Sequence, residues 1–271
     1  MATKVVQVNS LSIAYRESSG IGADVLLVHG NSASSRIFQP QLESALGEKY
    51  HLVAIDLPGH GESSNASDPA ATYNMPGYAE VVVSVAKQLD LEQAVFVGWS
   101  LGGHVVLEAG PQLPQAAGFL IYGTPPLAFP PDMAQAFLPN PAMSAAFQPN
   151  LTDAEGDAFS LACFKPGTTE IPEIFRQDIR RTDGQARVEL AASIRPGGYL
   201  DEVILVEQMT APLAIIHGEQ EQLVNAAYIQ SLRIPTLWRG SIQVVADAGH
   251  ATNWEQPEQF NALLEAFINH R

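Results

Sequence analysis

The chain has 271 residues, 46% of them hydrophobic, enough for one large α/β domain or two ordinary ones with a substantial buried core. Lys and Arg number 14 against 29 Asp and Glu, and the formal charge of −15 repels a nucleic-acid backbone or an anionic bilayer, so neither is expected as a partner. The N-terminal MATKVVQVNSLSIAYRESSG has no apolar stretch of signal length, and no segment approaches ~20 continuous apolar residues, which predicts a soluble, cytoplasmic protein.

Short apolar runs bounded by turn residues recur at 5–8, 11–15, 24–29, 51–57, 94–98, 118–123, 213–217 and 242–246, and each reads as a strand. The first two, joined by Asn9-Ser10, read as an antiparallel hairpin at one edge. Over 76–89, Val81, Val82, Val85, Ala86 and Leu89 share a helical face after the start signals Asn74 and Pro76. Strands alternating with helices imply a mostly parallel sheet covered on both faces. The alternation lapses over 127–207, a stretch that holds 6 of the 11 Phe and 8 of the 19 Pro. This stretch reads as a helical insertion over the sheet, either a lid or a helical subdomain with no part in a site. The expected division is a core of residues 1–126 and 208–271 with a cap of residues 127–207.

Cys163 is the only cysteine, so an intrachain disulfide and a CxxC metal site are both excluded, and it reads as a buried structural thiol. The histidines at 29, 51, 60, 104, 217, 250 and 270 form no HExxH or HxH pattern, and neither a metal nor another cofactor is expected.

Gly98-Trp99-Ser100-Leu101-Gly102 fits the G-x-S-x-G pattern at the end of a strand and the start of a helix. Such a sharp turn strains the backbone of the serine and crowds its neighbours, so Gly98 and Gly102 remove clashes while Gly103 lets the helix lie close to the sheet. A serine hydroxyl needs a base, and the base needs a carboxylate to fix its tautomer. His250, in the loop after the last strand-like run, is the candidate base. The loop after 213–217 contains no Asp; Glu221 is the leading candidate acid, with Glu219 and then Asp247 as alternatives. The oxyanion hole is assigned to the main-chain N–H groups of Leu101 and Asn31. His60, in the turn Asp56-Leu-Pro-Gly-His-Gly-Glu62, reads as structural.

The pieces HGNS, DLPGHGES, GWSLGG, an acidic loop after a late strand and a terminal DAGH together resemble the α/β-hydrolase family over the whole chain except the insertion. The resemblance implies an α/β-hydrolase fold, with a mostly parallel eight-stranded sheet flanked by helices and a helical cap. A narrower group is also similar, the AidH-type N-acyl-homoserine lactonases, metal-independent members that use Glu as the triad acid. The features in question are HGNSASS, PQLE, DLPGHG, GWSLGGH, Gly123-Thr-Pro-Pro126, the run from Arg181 to Arg187, and Glu221. That likeness implies a small ester or lactone substrate with an apolar acyl chain, opened through an acyl-enzyme. Trp99 and Phe159 are the candidate substrate-binding side chains. Where that group places a substrate-contacting tyrosine shortly before a cysteine, this chain reads Ala158-Phe159-Ser160-Leu161-Ala162-Cys163. A general carboxylesterase would use the same triad, and a hydrolase-fold signal receptor would be told apart by slow turnover. A haloalkane dehalogenase would need Asp where Ser100 stands.

Overall fold

The computed structural model describes residues 1–270, and all eight expected runs are strands. β1 (Lys4–Val8) and β2 (Leu11–Glu17) form the antiparallel hairpin, turned at Asn9, whose φ of 52° is a conformation that asparagine tolerates. The others are β3 (Asp24–Val28), β4 (His51–Ile55), β5 (Val95–Trp99), β6 (Gly118–Tyr122), β7 (Leu213–Gly218) and β8 (Gln243–Val245). They form one sheet in the order β1-β2-β4-β3-β5-β6-β7-β8, antiparallel as far as β4 and parallel from there on.

β5, β6 and β7 are buried along their whole length, as the uninterrupted apolar runs require of parallel strands covered on both faces. The edges differ in kind: β1 is a full five-residue strand with Val5 exposed, whereas β8 has only three residues, with Val244 exposed. From β3 the chain steps to β4 on one side and then returns to β5 on the other. Loops leaving the carboxyl ends of β3 and β5 therefore diverge and open a crevice, the place where open α/β sheets bind ligands.

The expected helix over 76–89 is Met75–Gln88, its first turn capped by the Asn74 side chain, which accepts from the Gly77 N–H at 2.8 Å. The last helix, Pro257–Ile268, lays Phe260, Leu264 and Phe267 on the sheet. Between β6 and β7 the α-helices include Asp153–Ala162, Glu173–Arg181, Gly184–Ser193 and Glu202–Gln208. Thr152 and Glu155 form a reciprocal capping box at the first of these. Ala145, Ala146, Phe159 and Ile179 make a small apolar cluster within this segment. Polar ties bind it to the loop after β3: Asp178 accepts from the Ser34 hydroxyl at 2.6 Å and pairs with Arg36, and Arg187 donates to the Ser32 hydroxyl at 3.1 Å.

Candidate active site

β5 ends at Trp99 and a helix begins at Leu101, so Ser100 alone turns the chain, with φ 52° and ψ −118°. A non-glycine residue held there stores about 1–3 kcal/mol of strain. The surroundings fix it: the Ser100 N–H donates to the Tyr122 carbonyl at 2.9 Å, and the Thr124 hydroxyl donates to the Ser100 carbonyl at 2.8 Å. A Cβ on Gly98 would lie 2.3 Å from the Gly102 carbonyl oxygen, and one on Gly102 would lie 2.1 Å from that of Val28. Gly98 thus closes the turn on itself, whereas Gly102 lets the helix start against the end of β3. Gly103 faces Thr124, 2.1 Å from where its Cβ would be, so it admits the loop after β6.

The His250 Nδ1–H donates to Glu221 Oε2 at 2.8 Å, and both side chains are nearly inaccessible. The other Glu221 oxygen accepts the Leu223 N–H at 2.8 Å. Burial by itself would raise the Glu221 carboxyl, but the His250 charge and hydrogen bond, the Leu223 N–H and His217 outweigh it and hold the group below its usual value. The alternatives are engaged elsewhere. Glu219 accepts the Asp247 N–H at 3.1 Å, and Asp247 pairs with Lys165 at 2.6 Å on the surface.

Trp99 lines the cavity and also has a part that the sequence did not suggest. Its indole N–H donates to the His250 carbonyl at 3.0 Å and its ring lies 5.6 Å from the imidazole, so although it lines the cavity its polar end positions the histidine. Gly123 leaves room for the imidazole, since a Cβ there would lie 2.7 Å from His250 Cε1.

Ser100 and His250 line one cavity together with Asn31 and Leu101. Among the described residues, no acceptor pairs with the main-chain N–H of Asn31 or of Leu101. The Asn31 side chain donates to the Ala146 carbonyl at 2.8 Å and its oxygen accepts from Ser32, which joins this loop to the helical segment. Phe137, Phe147, Phe159 and Leu190 supply apolar wall. Phe164 and Phe175 pack instead on each other and on Trp99 and Trp254, so only part of the segment's aromatic content faces the cavity.

Cys163 is buried at the cavity wall, and burial pushes its thiol far above the usual range, so it stays protonated. His29 donates through Nδ1 to the Gly30 carbonyl and accepts the Leu57 N–H at Nε2, while burial holds it down at about 4. His60 is held at about 3, by burial first and His29 second, and its Nδ1 meets the Pro58 carbonyl. Both are neutral packing groups under the turn after β4. One cavity residue escapes sequence reasoning: His104, whose Nδ1–H donates to the buried Glu202 at 2.9 Å. Among the described residues, no group of three His, Cys, Asp or Glu could hold a metal, and no helix is long and apolar enough to cross a membrane.

A strained serine between strand and helix, a histidine held by a buried carboxylate, and two unpaired N–H groups on one cavity are the parts of a serine hydrolase of this fold. The chain belongs to the alpha/beta hydrolase family, whose sequence profile matches residues 25–263. Among solved structures it is similar to the N-acyl homoserine lactonase AidH complexed with N-butanoyl homoserine, with a TM-score of 0.94 and 35% identity over 99% of this chain and 96% of that one. Among curated proteins it is 30% identical to the biotin biosynthesis bifunctional protein BioHC of Cellvibrio japonicus, over 90% of this chain but 47% of that protein's length. It is 27% identical to the pimeloyl-[acyl-carrier protein] methyl ester esterase of Xylella fastidiosa strain M12, over 94% of this chain and 98% of the relative.

Proposed function

We propose that the protein is a serine hydrolase that opens the lactone ring of N-acyl-homoserine lactones, with Ser100 as nucleophile, His250 as base and Glu221 as the carboxylate that orients it. Residues 127–207 act as a cap over a core of residues 1–126 and 208–271. His250 takes the Ser100 proton at Nε2, because Nδ1 is committed to Glu221. Ser100 Oγ attacks the ring carbonyl, and the N–H groups of Asn31 and Leu101 receive the oxyanion. Collapse breaks the ring C–O bond, and the leaving alkoxide takes the proton from His250. The alcohol remains tethered to the acyl-enzyme. Water, deprotonated by His250, then releases the ring-opened acid and restores Ser100.

The observation that carries the lactone reading is the likeness to AidH along nearly the whole chain, insertion included. The apolar cavity wall from Phe137, Phe147 and Phe159 suits an acyl chain. A second reading, hydrolysis of a carboxylic ester with an open-chain alcohol, is favoured by the methyl ester esterase relatives. A panel of acyl-homoserine lactones of several chain lengths beside aryl and methyl esters, with Ser100→Ala as blank, tests the proposal. Lactones as the best substrates by kcat/KM support it, and rapid ester hydrolysis with intact lactone refutes it.

A further inference from the structure

The cavity is apolar except at a few points. Asn31 has committed its amide to Ala146 and Ser32, Ser100 and His250 are the reacting groups, and the Trp99 N–H is held by His250. That leaves His104 and the Cys163 thiol on this lining, and the thiol donates to the Phe159 carbonyl at 3.5 Å. His104 lies four residues beyond Ser100, on the helix that begins at Leu101, and both line the cavity.

Its orientation is built. Both Glu202 oxygens lie 2.9 Å from His104 Nδ1, Glu202 is fully buried, and Oε2 also accepts the Leu127 N–H at 2.7 Å. A carboxylate so enclosed fixes the imidazole with its N–H at Nδ1, as in any carboxylate–histidine pair. Nε2 makes no hydrogen bond with the described residues, and it is not among the sealed atoms that lack one. A second histidine–carboxylate pair thus lines the cavity of the first, with one ring nitrogen uncommitted.

We propose that His104 Nε2 binds the substrate's secondary amide, accepting its N–H, so that the enzyme prefers esters and lactones with an amide beside the reacting carbonyl. An amide carried from water into an apolar cavity needs a partner there, and in an acyl-homoserine lactone the amide nitrogen is attached to the carbon next to the attacked carbonyl. Glu202 acts through His104 as a positioning residue. The inference rests on acyl transfer at Ser100, though not on the lactone being the physiological head group.

The test compares aryl esters of N-acylglycines with aryl alkanoates of equal length, on the full chain. His104→Asn keeps a donor for Glu202 but nothing at the Nε2 position; His104→Gln keeps the far end and gives up the Glu202 bond. The ratio of kcat/KM values for amide over alkanoate should fall by ~five- to tenfold in His104→Asn and largely return in His104→Gln. Intrinsic reactivity cancels, because each ratio is compared between enzymes on the same two esters. A ratio unchanged within about twofold in His104→Asn overturns the assignment. Ester turnover without lactone turnover removes the lactone reading while the ratio still judges His104; lactone turnover with a flat ratio does the reverse. A second measurement does not depend on how the His104 variants fold. In Ser100→Ala, the ¹⁵N resonance of His104 Nε2 should move when the N-acylglycine ester is added. No movement at concentrations that shift other cavity resonances overturns the assignment.

Discussion

Replacing Glu221 by Gln keeps the volume and one acceptor but removes the charge that faces the imidazole. The carboxylate lies 2.8 Å from His250 Nδ1 and is almost inaccessible to solvent, so little screening weakens the pair. Charge centres about 4 Å apart at an effective dielectric of about 20 interact by ~4 kcal/mol. In turnover the interaction is made as His250 takes the Ser100 proton, so it lowers the barrier rather than tightening ground-state binding. At 1.36 kcal/mol per decade, kcat should fall about 10³-fold. Glu219→Gln should stay within about tenfold, because Glu219 bonds the Asp247 N–H instead. Steady-state kcat on an aryl ester, with a thermal melt to confirm folding, reads both variants. A Glu221→Gln enzyme within tenfold of wild type, or the reverse ranking, refutes the reasoning.

Ser100→Ala should lower turnover by several orders of magnitude with the fold intact, and an active-site phosphonate should label Ser100 rather than Ser32 or Ser34, as peptide mapping will show. Gly123→Ala would set a methyl 2.7 Å from His250 Cε1 at a backbone φ of 61°, so kcat should drop at least ~tenfold with a lowered melting temperature; an unchanged kcat would mean that the loop after β6 yields freely. With Phe159 and its neighbours lining the cavity, kcat/KM should rise a few fold per added methylene until the chain fills it, at about 0.8 kcal/mol per CH₂, whereas a flat profile would assign those rings to packing alone. Glu221 has a lowered folded pKa, so its stabilisation is present above the ordinary value of 4.5 and is lost as pH falls through the lower folded one. Acid denaturation should therefore show a shallower pH dependence in Glu221→Gln than in wild type, and equal slopes would contradict the assigned shift.

The sheet was legible because each strand is an apolar run cut by turn residues, and the hairpin because Asn9 marks its turn. Ser100 was legible from its glycines, whose spacing answers to local sterics. Glu221 led among the acids on its place in the loop, but Glu219 is a near neighbour there, and only the path of the backbone after β7 decides which of the two reaches His250. The bond from Trp99 to the His250 carbonyl was not legible, because its partner is distant in sequence and leaves no pattern. The His104–Glu202 pair is hidden for the same reason: one member sits on the helix after Ser100 and the other in the insertion, where periodicity gives no register to the sheet.

Mass spectrometry of the products of an N-acyl-homoserine lactone decides which bond the enzyme breaks. The ring ester is a better electrophile than the side-chain amide, because its carbonyl has less resonance stabilisation and an alkoxide leaves more readily than an amine. Ring opening at Ser100 gives a single product heavier than the substrate by one water, released with one acid equivalent and absent with Ser100→Ala. Free homoserine lactone with a fatty acid, or unchanged lactone in a preparation that rapidly cleaves aryl esters, would contradict it.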